Sequence, residues 1–155
     1  LLPVADPAPR ETAPTIRAEV GAHDVVLVAD DDDDVLALTQ RALESSGFHV
    51  ITAENGHDAV ELFRRNADRV SVVIMDTTMP RMGGREAIRH IRDVRDDVPL
   101  IVASGSMQPT EGDPVDDHIA AFLLKPYRPS EMVQRVREVI RARGEPRAST
   151  GAQEV

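Results

Sequence analysis

The stretch Val70-Ser-Val-Val-Ile-Met-Asp76-Thr-Thr-Met-Pro80-Arg-Met-Gly-Gly84 decides how this chain of 155 residues is organised. Its apolar half is rich in β-branched residues and too short for an ordinary helix, the mark of a strand buried on both faces. The run stops at one carboxylate, Asp76. Pro80 cannot extend a strand ladder, and Gly83-Gly84 offers a flexible turn before a helical pattern begins. An acid where a buried strand leaves an α/β sheet stands in the usual ligand crevice of such sheets. Taken alone, Asp76 could equally cap the next turn, and the rest of the chain separates the two readings.

Working outward, Val25-Val-Leu-Val-Ala29 is a second buried-strand pattern, and it runs straight into five aspartates, Asp30 to Asp34. A charge run usually means a solvated face. Here it begins at the end of a core strand, where close carboxylates raise one another's pKa and a divalent cation keeps them ionised. An EF-hand needs Gly at its sixth loop position and Glu at its twelfth; counting from Asp30, Val35 and Arg41 stand there. The site is therefore assembled from distant segments, with Mg²⁺ preferred over Ca²⁺ because the protein ligands are few. Asp32 to Asp34 read as caps of the following helix.

That helix is expected over about 33–46, with Val35, Leu36, Leu38, Ala42 and Leu43 on its inner face and Gly47 as its stop. Phe48–Thr52 reads as a strand, Asn55-Gly56 as a turn and 57–66 as a helix burying Ala59, Val60, Leu62 and Phe63. After the opening strand, a helix over 84–95 buries Ala87, Ile88 and Ile91, and Pro99–Ala103 is a strand ending at Ser104-Gly105. Residues 105–118 are poor in helix formers, so a helix there is expected to be short or irregular. Ala120–Leu124 is the last strand, ending at Lys125-Pro126. A final helix opens at Pro129, turns Met132, Val133, Val136, Val139 and Ile140 inward, and is stopped by Gly144 and Pro146. Strands alternating with helices imply an α/β protein with a doubly wound, five-stranded parallel sheet. Its strand ends would gather Asp30, Asp31, Asp76, Ser104 and Lys125 on one edge.

Composition bounds the rest. The length suits one core, expected over 24–143, between a Pro/Ala-rich linker at 1–23 and a tail at 144–155. A net charge of −9 and 3% aromatic residues argue against a direct nucleic-acid surface. No apolar run is long enough to span a membrane, and with no cysteine a cytoplasmic setting is favoured. Metal-bound carboxylates beside a further carboxylate, a hydroxyl and an ammonium are what phosphoryl transfer to Asp76 requires. Lys125 would neutralise developing charge, and Ser104 could donate to a phosphoryl oxygen. There is no P-loop, and Asp76-Thr-Thr lacks the second acid of a haloacid-dehalogenase-type phosphatase. A flavodoxin-like flavin site is disfavoured because five aspartates would repel the flavin phosphate.

With these residues in place, about 24–143 resembles the receiver domain of two-component response regulators. The resemblance rests on Val-Leu-Val-Ala-Asp30-Asp31-Asp32, Asp76-Thr-Thr-Met-Pro80 with Gly84, Ser104-Gly105, and Phe122-Leu-Leu-Lys125-Pro126. It implies strand order 2-1-3-4-5 and phosphorylation of Asp76 by a histidine kinase or histidine phosphotransfer protein. It also implies Mg²⁺ held by Asp30, Asp31, Asp76 and the Thr78 carbonyl, and a cis Lys125–Pro126 bond. Ser104 and Phe122 would form the switch, and a receiver catalyses only its own phosphorylation and dephosphorylation. Ser in place of the commoner Thr at 104 keeps the hydroxyl but loses a rigidifying methyl, and Phe122 makes the switch purely steric. The irregular 105–118 segment puts the family's usual output face in question, and a dimer through the last helices stays open. Leu1-Leu-Pro3 with the linker looks like the end of a kinase ATP-binding domain, so a hybrid sensor histidine kinase is the expected parent. A free-standing regulator, or a pseudo-receiver that binds partners without phosphorylation, is the alternative.

Overall fold

The computed structural model describes residues 24–105 and 119–144. The expected linker at 1–23, most of the 105–118 segment and the tail from 145 lie outside the described residues. Five strands, β1 (Val25–Ala29), β2 (His49–Ala53), β3 (Val70–Asp76), β4 (Leu100–Ser104) and β5 (Ala121–Leu124), pair in parallel in the order β2-β1-β3-β4-β5. Four helices cover them: α1 (Asp33–Ser45), α2 (Gly56–Arg65), α3 (Gly84–Val94) and α4 (Pro129–Gly144). This is the doubly wound parallel sheet expected from the alternating strands and helices, in the order the resemblance implies. Among the described residues, no helix is long and apolar enough to cross a membrane.

The central strands β1 and β3 are buried at every position, so their apolar runs serve both faces of the sheet. One core cluster places Leu27, Val73, Met75 and Val102 under α2 and α3, with Phe63, Ile88 and Ile91 facing them. The other places Val26, Val28, Ile74 and Ile101 under α1 and α4, with Leu43, Met132 and Val136. β2 and β5 are edge strands, and their side chains are mostly half-exposed.

Local chemistry fixes the helix ends. Asp32 caps α1, its Oδ1 accepting the Asp34 and Val35 amides at 2.9 and 3.2 Å. Asn55 is buried and caps α2 by accepting the Asp58 amide at 2.8 Å. Gly47, at φ 100°, turns the chain out of α1.

Two expectations are corrected. Leu38 is 51% exposed, and the buried residue beside it is Thr39; the inward stripe of α1 is Leu36, Thr39 and Leu43, spaced three and four apart. The turn after β3 also differs. The positive φ, 70°, falls on Arg81, where the Met82 amide donates to the Pro80 carbonyl at 2.7 Å in a γ-turn of the strained hand. Gly83 has an ordinary φ of −71° and precedes α3. Gly84 serves close approach instead, since a Cβ there would collide with the Asp76 carbonyl oxygen.

Candidate functional site

The register aligns the strand ends. Ala29 lies beside Met75, Asp76 beside Ala103 and Ser104 beside Leu124, so Asp30, Asp76, Ser104 and Lys125 emerge at the same edge. Carboxylate oxygens of Asp30, Asp31 and Asp76 lie within 4.8 Å of one another. Asp30 and Asp76 are buried, while Asp31 is exposed. The Lys125 ammonium reaches from β5 to Asp30 Oδ2 at 2.8 Å and Asp76 Oδ2 at 3.4 Å. Its own amide donates to the Ser104 carbonyl at 2.8 Å, and the Lys125–Pro126 peptide is cis, as expected.

Backbone amides hold the remaining oxygens. The Asp32 amide donates to Asp30 Oδ1 at 2.9 Å, and the Thr78 amide to Asp76 Oδ1 at 3.3 Å. The two oxygens of Asp76 thus have different partners, one a main-chain N–H and the other an ammonium. Burial pushes the Asp76 carboxyl above its ordinary value, and the charge of Asp30 adds to this; the Thr78 amide and Lys125 oppose it without cancelling it. Burial works against the Lys125 ammonium, but hydrogen bonding to Asp30 and the charges of both acids outweigh it, so its pKa is raised.

Ser104 is half-buried at the end of β4. Phe122 is half-buried and packs on the core cluster beneath α2 and α3. Thr78 is exposed on the loop leaving β3. Asp30, Asp31, Asp76, Ser104 and Lys125 therefore sit at one sheet edge with Thr78 on the adjoining loop, whereas Phe122 lies within β5 beside Val102. The sequence carries two further signals, and the first is that Lys125 is the only lysine, every other one of the 18 Lys and Arg residues being arginine. The second is Tyr127, the only tyrosine, which packs beside α1 two residues further on.

The fold and edge define a doubly wound α/β domain with an acidic crevice closed by one ammonium. The model of the response regulator receiver domain matches residues 26–137, and the chain belongs to that family. It is 36% identical over 126 residues to the transcriptional regulatory protein PrrA of Mycobacterium tuberculosis, covering 77% of this chain and 51% of PrrA. The chain thus spans about half the length of the curated relatives it matches. It is similar to a chain of the CheX-CheY-BeF3-Mg²⁺ complex of Borrelia burgdorferi, with a TM-score of 0.68 and 26% identity over 75% of this chain and 88% of that one. The chemotaxis response regulator CheY4 of Vibrio cholerae gives 0.67 and 26%, over 75% and 98%.

Proposed function

We propose that the domain accepts a phosphoryl group from the phosphohistidine of a histidine kinase or histidine phosphotransfer protein onto Asp76. The observation carrying this reading is the contact of Lys125 with two buried carboxylates that share a crevice with a third. A carboxylate oxygen of Asp76 attacks phosphorus, the phosphorus–nitrogen bond breaks, and its electron pair leaves with the imidazole nitrogen. Burial makes Asp76 more basic than a solvated aspartate, which suits a nucleophile. Lys125 stands where negative charge grows on the transferring group, and it is already desolvated and aimed.

Three converging carboxylates with one ammonium between them leave excess negative charge, and such hard oxygen donors fit Mg²⁺. Asp30, Asp31, Asp76 and the Thr78 carbonyl would hold the ion. When bound, it supplies positive charge to the phosphoryl oxygens. The Mg²⁺ and BeF3 named with the Borrelia CheY complex support this assignment. Ser104 then donates its hydroxyl to the acyl phosphate and Phe122 repacks, shifting a two-state surface.

The test is intact mass after incubation with acetyl phosphate, with and without Mg²⁺. One phosphoryl-sized adduct that needs Mg²⁺ and is lost in Asp76→Asn is the expected result. A folded protein with neither adduct nor Mg²⁺ binding would leave the pseudo-receiver reading. For the parent protein, the Pro/Ala-rich composition of residues 1–23 would suit a linker within a cytoplasmic hybrid sensor kinase. PrrA, matched over half its length, favours a regulator carrying an output domain. The reading frames flanking the coding region separate the two.

A further inference from the structure

Five polar or charged side chains are buried among the described residues: Asp30, Thr39, Asn55, Ser71 and Asp76. Asp30 and Asp76 belong to the crevice, Asn55 caps α2, and Ser71 donates its hydroxyl to Asp24 Oδ1 at 2.8 Å. Thr39 is different. It is 1% exposed on the core stripe of α1, where valine would fill the same space without bringing a hydroxyl that must be satisfied. Its Oγ1 lies 3.5 Å from the hydroxyl of Tyr127, 88 residues later in the chain.

We propose that Thr39 and Tyr127 are a positioning pair that anchors the chain beyond Lys125 to α1 and so holds its ammonium on Asp30 and Asp76. Lysine carries its charge on a flexible four-carbon stem, so its aim depends on how firmly the main chain is fixed on both sides. Upstream, the Lys125 amide is bound to Ser104 in β4. Downstream, Pro126 and Arg128 are exposed, and Tyr127 is the residue between them that turns inward, half-buried against the core beneath α1 and α4.

Packing alone does not lock the ring. A groove of about 400 Å³, lined by Val35, Leu38, Thr39, Lys125, Pro126 and Tyr127 among others, leaves open space alongside it. The hydroxyl contact is the polar link from the ring to α1. That helix begins directly after the crevice acids, with Asp32 as its cap, so the link refers the lysine and the acids to one rigid element. At 3.5 Å the contact is long for two hydroxyls, and it contributes direction more than stability.

The single lysine makes the test site-resolved. Metal-free protein is acetylated with an amine-reactive ester at fixed pH, and labelling is followed on the peptide containing Lys125. Tyr127→Phe and Thr39→Val are expected to raise the labelling rate about two- to threefold, the low end of what one hydrogen bond supports, as suits a contact this long. The double variant should match either single one, and Thr39→Ser should label like the parent chain. In the same variants, phosphorylation by acetyl phosphate should slow while Mg²⁺ affinity holds, a split that simple loosening of the fold would not give. Unchanged labelling in both single variants, or additive effects in the double, overturns the pair. The proposal rests on Lys125 being the site's ammonium, but the labelling arm needs no phosphoryl chemistry. A parent chain that is never phosphorylated would overturn the functional reading and leave the labelling result standing.

Discussion

Replacing the proposed phosphoacceptor should make the metal-free protein more stable. At an effective dielectric constant of about 20, Lys125 at 3.4 Å attracts the Asp76 carboxylate by about 5 kcal/mol. Asp30, no more than 4.8 Å away, repels it by at least about 3.5 kcal/mol, and the water-screened Asp31 by at least about 1 kcal/mol. These nearly cancel, so the cost of burying the charge decides the sign, in agreement with burial as the largest cause of the raised Asp76 pKa. Asp76→Asn removes that charge while Lys125 keeps Asp30 at 2.8 Å. The expected gain is about 1–2 kcal/mol, or about 4–8 °C in Tm for a domain of this size. The pH dependence carries the same sign. Because the folded-state pKa of Asp76 is raised, the native state binds the proton more tightly than the unfolded chain. Stability is then lost as pH rises above the ordinary value of 3.8, and the loss levels off beyond the folded-state value. Thermal melts in EDTA should show this falling limb in the parent chain and a flatter one in Asp76→Asn. Mg²⁺ should invert the ranking, since twentyfold over its dissociation constant it adds about 1.8 kcal/mol to whichever chain retains the site. An Asn variant that melts at or below the parent in EDTA, or that keeps the full response to Mg²⁺, would refute the charge balance argued here.

Three further outcomes follow from particular contacts. In Gly84→Ala the new Cβ meets the Asp76 carbonyl oxygen and lies 2.9 Å from Thr77 Cα, both main-chain atoms with little room to move. A loss of about 2–3 kcal/mol in urea unfolding is expected, with slower phosphorylation because Asp76 itself is displaced. Arg81→Gly relieves the positive φ at an exposed position and should raise stability by about 0.5–1 kcal/mol after the extra chain entropy of glycine is deducted. At alkaline pH, burial raises the Tyr127 pKa above 10.0, and its partners raise that of Lys125 above 10.5. Both contributions are complete below those ordinary values and are lost as pH climbs through the folded-state ones. Ultraviolet titration of the one tyrosine should therefore have its midpoint above 10.0, falling to the ordinary value in urea.

Much of this was legible in the sequence because a parallel sheet covered on both faces writes its central strands as unbroken apolar runs. Val25–Ala29 and Val70–Met75 carry no polar residue except Ser71, so a charge at their ends stands out. The single face of α4 was equally plain, and all five of its expected inward residues are buried. What periodicity could not settle were choices between neighbours. Leu38 and Thr39 are adjacent, and the helical phase puts the smaller, polar one inside; a hydrophobicity pattern favours the leucine because it cannot see Tyr127 across the interface. Two glycines likewise attract the turn reading, yet the positive φ falls on Arg81, and Gly84 serves close packing against Asp76 instead. Arg95 shows a third kind of gap. Its guanidinium donates to the Ala67 and Val70 carbonyls at 2.7 and 2.8 Å, tying the end of α3 to the start of β3. It is the residue that ends α3, and nothing local distinguishes it from the arginines within that helix.

The strand order explains why the amine at this edge has to be long. β3 is central, with β1 on one side and β4 on the other, so Asp30 and Asp76 come from adjacent strands and meet through short side chains. β5 is the outer strand beyond β4, about two strand spacings, or roughly 10 Å, from β3 and three from β1. A residue leaving β5 must cross the end of β4 to reach either acid, and Lys125 does so in touching both Asp30 and Asp76. Arginine has the reach as well, and this chain uses it wherever else it needs a cation. The planar guanidinium, however, is built for bidentate pairing with one carboxylate, whereas an ammonium spreads three donors around a point. A crevice whose charge partner must serve two carboxylates at once favours the compact ion. The lone lysine of the sequence is thus explained by topology and by the geometry of the charge together.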